Sequence, residues 1–116
     1  MTQANTGWSP YENGKTIGQR GSEHGLIMLD EEHSDGARIT LEREGESAPF
    51  AISCGMYGWF LHTRFFAAEE TAKHDFTGMK AALAKILSLA PSETEDFDHA
   101  ASIVKQKIWD FVERFP

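Results

Sequence analysis

The clearest pattern in the chain lies near its C-terminal end, where Phe97, Ala101, Val104, Ile108, Phe111 and Phe115 recur by alternating steps of four and three. That spacing gathers the apolar side chains into one stripe and predicts an amphipathic helix. Ser92-Glu93-Thr94-Glu95 has the spacing of a capping box, whose hydroxyl and carboxylate each satisfy a free amide at a helix start. A preceding helix carries Phe76, Met79, Leu83, Ile86, Leu87 and Ala90, with Asp75 as its N-cap and Ala67–Lys73 available as earlier turns. Pro91 should end or redirect it.

Upstream the period changes from helical to alternating. Ala37, Ile39 and Leu41 alternate with Arg38, Thr40 and Glu42, which predicts a strand with one buried and one wet face. Ser34-Asp35-Gly36 joins it to a strand at Gly25–Leu29, followed by a polar run from Asp30 to His33. After the break at Gly45–Pro49, Phe50–Cys54 resumes strand character. Gly55 and Gly58 then suggest a tight reversal into a strand that alternates Trp59, Leu61, Thr63 and Phe65 against Phe60, His62, Arg64 and Phe66. One long bulged strand over Phe50–Phe66 is the less favoured reading. A short further strand at Lys15–Gly18 is also compatible with the pattern.

Together these elements predict an α+β fold: an antiparallel meander of about four strands followed by two helices packed on one sheet face. Residues 1–14 form an N-terminal arm, flexible or docked through Trp8 and Tyr11, and residues 15–116 one compact domain. The uncovered sheet face is expected to be wet or to form a subunit interface.

Length supports that division, because 116 residues suffice for one core. The apolar fraction of 41% is too high for a wholly disordered acidic chain. The net charge of -7 is uneven: residues 23–46 hold eight acids against two arginines. This balance argues against nucleic-acid binding, since long-range attraction to phosphate is missing. No apolar run reaches bilayer length, so no membrane partner is expected. The opening residues lack a basic stretch followed by an apolar run, and Cys54 is the single cysteine, so a cytoplasmic protein is expected.

Candidate chemistry is sparse, and no catalytic or cofactor motif is present. Gly21-Ser22-Glu23-His24-Gly25 has the look of an anion-binding loop, but it opens no predicted helix and an ordinary loop is favoured. Glu31 and His33 would share a strand face and could ligate a metal, although a solvated hairpin end is the simpler reading and no metal or cofactor is assigned. Tyr57, Trp59, His62 and Arg64 form a possible ligand-binding group, in which an imidazole and a guanidinium would meet an anion beside aromatic walls. Its competitor is a half-buried sheet face with Arg64 paired to an acid such as Glu42. A Cys54–His62 dyad would need both residues opposed across a hairpin and a lowered thiol pKa; buried packing of Cys54 is the default.

The favoured functional reading is a small accessory or regulatory domain that works through protein–protein contacts, homodimerisation included. An acidic hairpin would present Asp30, Glu31, Glu32, Asp35, Glu42 and Glu44 to a basic partner, with Trp109 as a rim contact. The alternative is a small-ligand-binding protein or enzyme using the aromatic, His and Arg group.

Overall fold

The computed structural model describes residues 6–90 and 97–116. Its sheet contains β1 (Trp8–Pro10), β2 (Leu26–His33), β3 (Ala37–Arg43), β4 (Phe50–Met56) and β5 (Phe60–Phe66) in that spatial order, every neighbouring pair antiparallel. Helices α1 (Glu69–Leu87) and α2 (Phe97–Arg114) follow. This is the expected meander-then-helices α+β architecture, with one strand more than the alternation announced. The extra strand comes from the arm: Trp8 lies opposite His33, and its indole meets the imidazole edge-on at 5.1 Å between ring centres.

The register fixes the two sheet faces. Ile39 opposes Cys54, Leu41 opposes Ile52 and Ala37 opposes Met56, so these six point together toward Phe76, Met79 and Leu83 of α1. Val104, Phe111 and Phe115 from the α2 region complete the core. Burying side chains of this size stabilises the fold by about 1.5–3 kcal/mol each, and that gain holds the two layers together. Phe97 falls outside the packed stripe and is exposed; Ile108 is half-buried.

Several expectations are corrected. β2 continues through the polar run to His33, because Glu31 and His33 find partners on the helix side while Asp30 and Glu32 find them on the other. Residues 15–18 form turns, with no strand there. Tyr57–Trp59 make a tight reversal closed by the Trp59 amide on the Met56 carbonyl, so residues 50–66 are two strands. Gly58 takes the left-handed conformation (φ +82°) that this reversal requires. Helix α1 starts six residues before Asp75, after Ala68; Glu69 and Glu70 supply the negative charge favoured in a first turn. Asp75 serves instead as an ion-pair partner inside the helix. The capping box at Ser92–Glu95 lies outside the described residues.

The largest departure concerns the face predicted to be wet. Thr40 and Glu42 of β3 are buried, as is Asp30 of β2. The segment between β1 and β2 folds back across this face, covers β2 and β3 and reaches Ser53 of β4 through Ser22, so that the exposed side chains of this face, Leu61 and Phe65, lie on β5.

Candidate functional site

On the helix side, alternation along β5 points His62 and Arg64 into the same layer, as the sequence grouped them. Both reach main-chain groups just beyond α2, and Arg64 also reaches a side chain of α1. His62 Nε2 lies 2.5 Å from the carbonyl oxygen of Phe115, and since a carbonyl only accepts, the ring proton sits on Nε2. The imidazole also packs edge-on against Phe111. Arg64 donates from Nε to the Pro116 carbonyl at 3.0 Å and from Nη1 to Asp75 at 2.5 Å. The acid paired with Arg64 is therefore Asp75 of α1, because Glu42 points through the opposite face. These two side chains fasten the end of α2 to β5.

Cys54 and His62 are direct cross-strand partners, the juxtaposition a dyad needs. The chemistry fails on the thiol: burial pushes its pKa up to about 12, and Arg64 offsets little of that. At neutral pH it stays protonated and acts as a small core side chain.

On the far face, the segment before β2 is held by two buried carboxylates. Glu42 is fully buried and accepts the amide of Gly25 at 2.9 Å and that of Glu23 at 3.2 and 3.3 Å. The loop singled out as a possible anion cradle is thus an anion cradle whose anion is the chain's own carboxylate. Gly21 leaves room for this carboxylate, since a Cβ on it would stand 2.4 Å from the Glu42 carboxylate carbon and displace it. Asp30 accepts from Arg38 at 2.9 and 2.7 Å, from Thr16 at 2.8 Å and from Thr40 at 3.2 Å. Hydrogen bonding to Asp30 raises the Arg38 pKa, and the guanidinium also stacks 3.6 Å over the Tyr11 ring.

Beside this covered region opens a hollow of about 430 Å³, bordered by Arg38, Ser53, Gly55, Tyr57, Leu61 and Thr63 among others. Tyr57 is exposed, and its hydroxyl donates to Glu32 at 2.6 Å. Partial desolvation against the sheet, then the Glu32 carboxylate, raise its pKa to about 12. Leu61 is 90% exposed, and Phe65 is exposed on the same face. Neither was singled out from the sequence; their place in the alternation was visible, but the side covered by helices was not.

The four proposed ligand-binding residues are therefore divided. Tyr57 and His62 border the hollow, yet the His62 ring is committed to Phe111 and Phe115 on the helix side. Arg64 is committed to Asp75 and Pro116, and Trp59 lines a separate depression with Phe97, Ala101, Lys105 and Ile108. The acidic hairpin divides too. Asp30 and Glu42 are interior, Glu31 pairs with Lys80 of α1 at 2.7 Å, and Glu32 takes the Tyr57 proton bond. Asp35 and Glu44 face solvent, and Trp109 is 63% exposed on α2.

Among the described residues, no three His, Cys, Asp or Glu side chains converge as a metal site. Glu31 and His33 do share a face, but the His33 ring is buried against Trp8 and its Nδ1 accepts the Asp35 amide. No helix of the described residues is long and apolar enough to cross a membrane. Comparison with known protein families, curated proteins and solved structures finds no match to this chain. The arrangement supports a small domain with a buried polar network and an exposed aromatic and aliphatic surface, suited to contact with a protein or a small molecule.

Proposed function

We propose that this protein is an accessory domain acting through protein–protein contact, and that the exposed β5 side of the far sheet face is its contact surface. The observation that carries this reading is Leu61, nine-tenths exposed beside Phe65 and Tyr57 on a regular sheet surface. Apolar side chains held rigidly in this way offer area to a partner at little entropic cost. The charge around them is acidic. Glu23 borders the hollow, Glu32 stands under Tyr57, and Asp35 projects from the adjoining turn. Arg38, the cation of this region, is already neutralised by Asp30. A partner segment with Lys or Arg beside apolar side chains complements this surface. The acidic-hairpin role thus falls to Glu32, Asp35 and Glu44, with Trp109 as a second contact point on α2. A buried, protonated Cys54 suits the cytoplasmic setting expected from the sequence.

Small-ligand binding is the weaker reading, because Arg38 and the Tyr57 hydroxyl are spent on Asp30 and Glu32. Selection from a random peptide library tests the choice. Basic-apolar peptides should be enriched, should bind less tightly as salt rises, and should lose binding to the Leu61→Asp protein. Enrichment of acidic peptides, or binding indifferent to Leu61→Asp, would overturn the proposal.

A further inference from the structure

The two edges of the sheet are protected very differently. At the first edge, β1 has three residues and ends in Pro10, which carries no N–H. Further along, residues 18–20 bond to Leu26 and Ile27 and cover the beginning of β2. At the other edge, β5 runs seven residues, paired on one side with β4. Among the described residues no hydrogen bond reaches its outer side. It contains no proline, glycine or lysine, and its one charged residue, Arg64, is turned into the helix layer. Natural sheets blunt exposed edges with such residues or cover them, so an unblunted seven-residue edge is a template for another strand.

Two features identify that strand. β5 is self-complementary about Thr63: in an antiparallel copy Thr63 meets Thr63, Leu61 meets Phe65, His62 meets Arg64 and Phe60 meets Phe66. On the outer face the Thr63 pair is then flanked on both sides by a Leu61–Phe65 pair, and Thr–Thr and apolar cross-strand pairs both stabilise strand pairing. Charge makes the same selection. The chain carries -7 overall, yet residues 47–68 contain no Asp or Glu. Two copies meeting at β5 avoid opposing carboxylates, whereas the β1 edge lies against Glu31 and Glu32.

We propose that β5 pairs antiparallel with β5 of a second copy about a two-fold axis at Thr63, joining both sheets into one. The pairing is isologous and closed, so it yields a dimer and not a filament. It stands independently of the basic-partner reading, which concerns the sheet face.

Sedimentation equilibrium of the intact protein tests it. The protein should sediment at twice the mass of one chain. Thr63→Lys and Thr63→Glu should each halve that mass by placing like charges opposite each other at the axis. An equimolar mixture of the two should recover the doubled mass. Far-UV circular dichroism checks that each variant is folded. If either fails to fold, Thr63→Cys replaces it: oxidation should link two chains on a non-reducing gel, while the parent protein, with Cys54 buried, stays unlinked. A parent protein that sediments as one chain would overturn the proposal. So would a dimer unaffected by Thr63→Lys, no recovery on mixing folded variants, or no Thr63→Cys cross-link. A dimer lost on Trp109→Asp but kept in both Thr63 variants would move the interface to α2. Peptide binding is read separately, so failure of the dimer and failure of the basic-partner reading remain distinguishable.

Discussion

The two halves of the far sheet face invert the usual relation between polarity and exposure. Over β2 and β3 the residues pointing outward include Asp30, Thr40 and Glu42, polar and buried. Over β5 they include Leu61 and Phe65, apolar and exposed. A buried carboxylate must be hydrogen-bonded, so each one dictates where the covering segment lies. An exposed leucine asks nothing of its own chain. The covered half therefore spends its side chains on internal order, and the bare half keeps its side chains for something outside.

The largest effect is expected where the covered half is broken. Glu42→Ala removes the acceptor for the Glu23 and Gly25 amides and should cost about 3 kcal/mol, since it leaves buried donors unsatisfied. Urea unfolding measures this. A loss under about 1 kcal/mol would mean that the loop is held by other contacts.

A smaller effect lies at the boundary between the halves. Tyr57 should ionise near pH 12, seen by comparing ultraviolet pH titrations of the parent and Tyr57→Phe proteins. Its folded pKa lies above the unfolded value of about 10. Its contribution to stability is therefore complete below pH 10 and disappears as pH rises toward 12. Glu32→Gln should lower the Tyr57 midpoint, because the carboxylate raises it both as an acceptor and as a charge. An unchanged midpoint would remove Glu32 from the account.

The smallest effect belongs to the bare half. Leu61→Ser should shift folding stability by no more than about 0.5 kcal/mol, as expected of a surface site. A loss several times larger would show that the leucine serves the fold and would blur the contrast between the halves.

The parts of the fold legible in the sequence are those built on a period. The alternation of Ala37–Glu42 located β3, and the four-three spacing of Phe97–Phe115 located α2 with its core stripe. What escaped has no period. The segment from Tyr11 to Gly25 covers the sheet through turns and single hydrogen bonds, so nothing in the spacing marked Thr40 and Glu42 as interior. β1 is too short to alternate. The start of α1 was misplaced because Asp75 resembles a cap, while Ala68, the residue in that position, makes no side-chain cap hydrogen bond. For the site, alternation correctly grouped His62 with Arg64 and Leu61 with Phe65. Both groups are rich in aromatic neighbours, however, so hydrophobicity could not tell which would lie under helices.

The loop at Gly21–Gly25 has a further consequence in terms of competition. Its amides form a receptor for an anion, and Glu42 is a ligand delivered on an adjacent strand of the same molecule. Tethering replaces a bimolecular encounter with an intramolecular one, and the local concentration of that carboxylate far exceeds that of any dissolved phosphate or sulfate. The loop is therefore a permanently saturated receptor, and its binding energy goes into closing the chain over its own sheet.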